Sequence, residues 1–329
     1  MTPLSMSRRS VLIFQVDGGA VPNLALMRIA AEERRRGSDI EFRHAKRHSV
    51  RRGMFDAPDA VYASAIFERS KSTCELLLRE FPGAIIGGSG WNEQAKLPDI
   101  GIERSGLLDY SLYPEWPHSI GFTQRGCRLA CPFCKVPRME GKIQKEAKVE
   151  QIWRGEPWPK NLLLLDNDFF GEPTWRSEID AINQGGFKIC WNQGFNVRLI
   201  GDEEAAAIAS TNYRNADFTR RRLYTAWDNR KDEKRLFRNL EALVKYGVKP
   251  DEIMVYILVG FWDGPTLGPD DLYRHAKLRE FGCRPYPMPF VRNDELRGFQ
   301  RWCARRDDLK VSWQVFKAAN YRPEKIGLH

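Results

Sequence analysis

The sequence predicts an α/β protein in two parts, a small Rossmann-like domain followed by a partial (β/α)6 barrel. Two observations predict it. Short apolar runs alternate with stretches of helical periodicity along the chain, the pattern of parallel strands covered by helices. The alternation breaks once, near residue 112, and restarts, so the 329 residues divide into successive α/β parts. The boundaries are expected at residues 1–112 for the Rossmann-like domain, 113–290 for the barrel and 291–329 for a helical extension.

VLIFQV, from Val11 to Val16, is a buried-strand run, and PNLALMRIAAEERRRG follows with Pro22 at a helix start and Gly37 at its end. DIEFRH, AVYASAIF, the helical STCELLLREFPG and AIIGG continue the pattern. GGSG, Gly87 to Gly90, closes that last strand at the edge where such sheets bind ligands, or simply makes a tight turn. From His118 onward six strands are expected: SIGFT, NLLLLD, KICWN, RLYTAWD, EIMVYILVG and PYPMPF. Helical sequence follows each of the first five, as in DEKRLFRNLEALVKYG with its Gly247 stop. Six units without a seventh or eighth predict an open relative of the (β/α) barrel, with its chemistry at the C-terminal strand ends. ELRGFQRWCARRDDL reads as a closing helix.

No apolar run approaches the roughly 18 to 20 residues that span a bilayer, and MTPLSMSRRS lacks the apolar core of a secretion signal. A cytoplasmic protein without a membrane partner is expected. The net charge of +9 suits an anionic partner: nucleic acid, a phosphorylated substrate or an acidic electron carrier. Seven cysteines without secretion do not make a disulfide framework, so clustered thiols point to metal or redox chemistry.

Three of the seven, Cys127, Cys131 and Cys134, fall inside eight positions of GFTQRGCRLACPFCKVPRMEGK. Thiolates on one tight loop hold either zinc or an iron–sulfur cluster. Structural zinc takes two separated pairs, and the chain has no second CxxC. Cys74, Cys190, Cys283 and Cys303 lack such partners and read as small buried hydrophobes.

GCRLACPFC, with aromatic Phe133 before the third cysteine, resembles the signature of the radical S-adenosylmethionine (radical SAM) enzymes. The resemblance extends over roughly Tyr110 to Phe290. It implies a [4Fe–4S] cluster on Cys127, Cys131 and Cys134, with the fourth iron chelated by the amino and carboxylate groups of S-adenosylmethionine. One electron from such a cluster cleaves the sulfonium and yields a 5′-deoxyadenosyl radical that abstracts hydrogen from substrate. The electron donor is then a reduced flavodoxin or ferredoxin.

The resemblance also implies roles at the strand ends. Asp166, Asn167 and Asp168, in LLLLDNDFFGE, stand where the family has a glycine and acid motif for the amino group of S-adenosylmethionine, although the two glycines of that motif are absent. Gln193, Asn196 and Arg198, in WNQGFNVRLI, stand where the ribose and carboxylate are met. Trp227 and Asp228 are expected to face the substrate, and Gly260, in YILVGF, lies in a segment similar to the one that contacts adenine.

A Rossmann-like domain before the radical module resembles the layout of cobalamin-binding radical SAM enzymes and of methylthiotransferases. The Asp-x-His-x-x-Gly pattern that offers histidine to cobalt is missing around His44 and His48, and Cys74 is the only cysteine in this part. The domain therefore reads as degenerate, with histidine-independent cobalamin binding as the alternative. For the whole chain, the reading is radical modification of a nucleic acid or nucleotide. The alternatives are radical modification or methylation of a peptide or small metabolite, and a non-catalytic metal-bearing nucleic-acid binding module.

Overall fold

The structure, a computed structural model, describes residues 8–17, 19, 21–45, 50, 51 and 57–320; His48 lies outside them. The chain divides into two compact units, Met1–Ile120 and Gly121–His329. Both are α/β with parallel sheets. Among the described residues no helix is long and apolar enough to cross a membrane.

The first unit contains β1 (Ser10–Gln15), α1 (Leu24–Arg35), β2 (Asp39–His44), β3 (Ala60–Ser64), α2 (Lys71–Glu80) and β4 (Ile85–Gly87). Its sheet runs β2-β1-β3-β4, all parallel. Val11, Ile13, Leu12 and Phe14 are buried without a polar face, as a central parallel strand requires. Asn23 caps α1, its side chain accepting from the N–H groups of Ala25 and Leu26. GGSG is a tight turn: at Gly88 φ is +99°, and a Cβ would sit 2.3 Å from the Ala65 carbonyl oxygen.

β5 (Ser119–Gly121) straddles the boundary between the units. The second unit continues with β6 (Gln124–Arg125), α3 (Val136–Met139), β7 (Gln144–Lys145), α4 (Val149–Ile152), β8 (Asn161–Leu164), α5 (Trp175–Gln184), β9 (Lys188–Trp191), α6 (Asp202–Ser210) and β10 (Asn212–Tyr213). After these come β11 (Leu223–Ala226), α7 (Glu233–Lys245), β12 (Ile253–Val259), α8 (Pro269–Glu280), β13 (Arg284–Pro289), α9 (Asp294–Ala304) and α10 (Trp313–Asn320). The six strands expected from the sequence are β5, β8, β9, β11, β12 and β13. They form two sheets, β10-β9-β8-β5 and β11-β12-β13. β10, β9 and β8 pair in parallel, as do β11, β12 and β13. The gap between the sheets is bridged just past β9, where Phe195 N–H donates to the Tyr224 carbonyl (3.1 Å) and Thr225 Oγ1 donates to the Phe195 carbonyl (2.8 Å).

The three prolines of PYPMPF occupy alternate positions of β13, with Pro285 and Pro287 buried. Alternation turns their missing N–H groups to the open edge, where no ladder bond is lost. One apolar core gathers α5, α7, the sheets and the C-terminal helices, including Leu240, Ile257, Phe299, Trp302, Trp313 and Phe316. The closing helices thus complete the core of the second unit.

Candidate metal centre

β6 and β7 pair antiparallel, Gln124 with Lys145 and Arg125 with Gln144, and so pinch off the segment that carries the three cysteines. Gly126 opens it with φ +80°, and a Cβ there would meet the Lys142 carbonyl oxygen at 2.3 Å, so no other residue fits. Glu140 ties both ends together: it accepts from Arg125 Nη1 (2.9 Å), Gly126 N–H (3.0 Å) and Asn167 Nδ2 (2.9 Å). Asp168 clamps the middle. Its carboxylate accepts from Arg128 N–H (3.1 Å), Nε (2.8 Å) and Nη2 (2.9 Å).

Within this frame Cys127, Cys131 and Cys134 are half-buried free thiols. Leu129 N–H donates to Cys127 Sγ and Val136 N–H to Cys134 Sγ, each at 3.4 Å. Burial pushes the Cys127 and Cys134 thiols up, and the neighbouring cysteines add to it, so the sulfurs feel one another. Elsewhere in the described residues, His275, Cys303 and Asp308 form a group with all ligand atoms within 4.8 Å of one another. That group is already satisfied in part, because the Asp308 carboxylate takes His275 Nε2 (3.0 Å) and Arg279 Nε (2.6 Å). Cys303 is therefore a buried small residue beside an ion-paired triad.

The strand ends bring further polar groups to the loop. Arg198 donates to Asp232 (2.6 Å) and to the Asn196 side-chain oxygen (3.0 Å), and it also reaches the Cys131 thiol. Burial, the largest single influence, works against its charge, but Asp232, Cys131 and Asp228 together hold the guanidinium above its usual range. Asp228 bears on Cys134; burial pushes its carboxyl up to about 6 against the pull of Arg198 and Arg274. Phe133 meets Phe261 edge-on (5.5 Å), which in turn touches Trp262 and Phe290. Gly260 directly follows β12, its N–H directed at Asp271 (3.4 Å). Gln193 is exposed. Trp227 does not face this rim; it is fully buried against Phe237.

Arg274 has no motif to announce it. Fully buried on α8, it donates to the carbonyls of Trp227 and Leu258 (2.6 Å each) and to Asp271 (2.6 Å), fixing the ends of β11 and β12 together. Beside it lies a cavity of about 610 Å³ lined by Asn229, Lys231, Trp262 and Asp270.

Asp166 lies under the loop, accepting from Thr123 N–H (2.7 Å), Thr123 Oγ1 (3.1 Å) and Gln124 N–H (2.8 Å) on Oδ1. Its Oδ2 and both amide atoms of Gln124 are buried without a partner. Burial pushes this carboxyl from 3.8 up to about 7, against its three donors. Between those values the folded state holds a proton that the unfolded chain has released, so this group's contribution lowers stability as pH rises. Asp166→Asn keeps the acceptor and removes the titration. Its melting temperature relative to the parent is expected to climb from about pH 4 to about pH 7; a constant difference contradicts the assignment.

No family model and no curated protein matches the chain. The chemistry of the site itself therefore carries the functional reading.

Proposed function

We propose that the protein is a radical S-adenosylmethionine enzyme that modifies a nucleic acid or nucleotide. The observation that carries the reading is the convergence of the CxxxCxxC loop with polar groups that follow β8, β9 and β11, namely Asp168, Arg198 and Asp228. A binding module has no use for that convergence. The six strands in chain order, bridged between Phe195 and Tyr224, support a partial barrel.

The donor set fits an iron–sulfur cluster. Cys127, Cys131 and Cys134 are the residues that would hold it, three soft thiolates on one loop with no second CxxC pair in the sequence to complete a structural zinc site. When bound, a [4Fe–4S] cluster supplies one electron and an iron open to S-adenosylmethionine. The protein's part is positioning. The N–H groups of Leu129 and Val136 stabilise two thiolates, and Arg128 is held by Asp168 so that the loop keeps its shape. Arg198 and Asp228 are the rim groups suited to a carboxylate and an ammonium, respectively. Phe133, Phe261 and Trp262 shield the rim from water, and the cavity beside Trp262 offers room for a nucleoside. A reduced flavodoxin or ferredoxin would deliver the electron.

The test is paramagnetic resonance of the anaerobically reconstituted, dithionite-reduced protein. Added S-adenosylmethionine is expected to shift the cluster signal, as a new ligand on one iron must. A signal that stays unchanged at saturating S-adenosylmethionine overturns the reading.

A further inference from the structure

The face of β11, β12 and β13 turned away from the apolar core carries polar side chains. Register sets Tyr224 beside Met254, Met254 beside Arg284, and Tyr256 beside Tyr286. Side chains alternate along a strand, so these residues share one face. The other face carries Leu223, Thr225, Val255 and Ile257 into the core, whereas the tyrosines and Arg284 remain half-buried. The Tyr224 and Tyr256 rings are nearly parallel, 7° apart with centroids at 6.0 Å, and Tyr286 stands edge-on to Tyr256 at 5.9 Å.

At the strand starts this aromatic platform runs into arginines. Burial first, and then Arg222, Arg306, Arg220 and Arg279, hold the Arg284 guanidinium down to about 10. Arg279 is neutralised by Asp308. Among the described residues the guanidiniums of Arg220, Arg284 and Arg306 have no ion pair or hydrogen bond. Arg222 donates only to the Asp251 carbonyl (2.5 Å), and Asp251 is the carboxylate that bears on it. Arg284 opens β13 and Arg222 directly precedes β11, so register sets both at the same end of the three-stranded sheet, and Arg suits phosphate in particular.

We infer that this face binds a phosphorylated nucleoside, free or within a single strand, with its phosphates on the arginines and its base on the tyrosines. The substrate class rests on the function proposed above; the face gives that substrate a place to lie. From Arg284 to Pro289 the strand covers about 16 Å at roughly 3.3 Å per residue, so a nucleotide anchored at the arginines extends toward the strand ends that meet the cysteine loop.

The test is fluorescence anisotropy at about 50 mM salt with a labelled mononucleotide and labelled single-stranded oligonucleotides of increasing length. The proteins are the full chain, an Arg284→Gln/Arg306→Gln double variant, Tyr256→Leu and, as a control, Arg176→Gln on the exposed Glu203 pair. Melting curves check that each is folded, and dithionite-driven cleavage of S-adenosylmethionine checks the cluster site separately. The double variant is expected to bind at least tenfold more weakly, with a salt slope shallower by about 1.4, at roughly 0.7 for each phosphate that is no longer neutralised. Loss of one stacking ring in Tyr256→Leu is expected to weaken binding roughly fivefold or more, and the control should match the parent. Affinity that rises with length supports a strand, and equal affinity for the mononucleotide supports a free nucleotide; both uphold the face. Binding that all variants share with the parent overturns the face and leaves the nucleic-acid reading standing. A parent that binds neither probe while still cleaving S-adenosylmethionine overturns both the face and that substrate class, but not the radical chemistry.

Discussion

Cys131→Ala is expected to lose its cluster completely. In the proposed cluster each of the three thiolates would hold one iron, and removing the middle one would leave two protein ligands for a four-iron core. Absorbance near 400 nm should vanish in the reconstituted protein, and iron should fall from about four per chain to nearly none. The fold should survive, because Cys131 lies half-exposed in a loop and contributes nothing to the apolar core. Cys74→Ala is the contrasting case: that thiol is buried in the core of the first unit, so iron content should stay at the parent level. A Cys131→Ala protein with an intact spectrum would end the cluster assignment.

Asp168→Ala is expected to release the loop; it keeps all three cysteines but removes the carboxylate that lies 4.0 Å from Cys127 Sγ. Asp168 takes three donors from Arg128, one from the backbone and two from the guanidinium, and its side chain is only 1% exposed. Arg128 itself is 38% exposed, so water partly replaces the missing partner and the cost stays near ~2 kcal/mol, below that of a fully buried pair. The damage is concentrated in the loop. Cluster content should therefore drop to less than about half, while the melting temperature of the iron-free protein moves by about 5 °C or less for a chain of this size. Full iron content and unchanged melting would show that the clamp does not shape the site.

What the sequence made legible was set by range. β12 and α7 were readable because one is a continuous apolar run of seven residues and the other buries every third or fourth residue, signals that lie within about a dozen positions. The cysteine loop was readable for the same reason, its three thiols lying close together along the chain. The partners that hold the loop were not. Arg128 and Asp168 are 40 residues apart, and nothing in either neighbourhood announces the pair. Asp168 reads as a cofactor contact in sequence because it follows a strand, yet its carboxylate is engaged by Arg128. The arginine and tyrosine face needed register as well: Tyr224, Tyr256 and Tyr286 are unrelated positions until the three strands are aligned. Arg220, Arg221 and Arg222 look like one basic run in sequence. In the fold Arg221 turns aside to stack on Tyr213 and pair with Glu252, whereas Arg220 and Arg222 bear on Arg284.

Radical chemistry at the cysteine loop is read out most directly by the yield of 5′-deoxyadenosine from S-adenosylmethionine, measured by mass spectrometry after anaerobic reconstitution with iron and sulfide and reduction with dithionite. Product is expected from the parent well above a protein-free control, and none above that control from Cys131→Ala. A parent protein that carries a full iron–sulfur spectrum and still leaves S-adenosylmethionine intact would contradict the assignment.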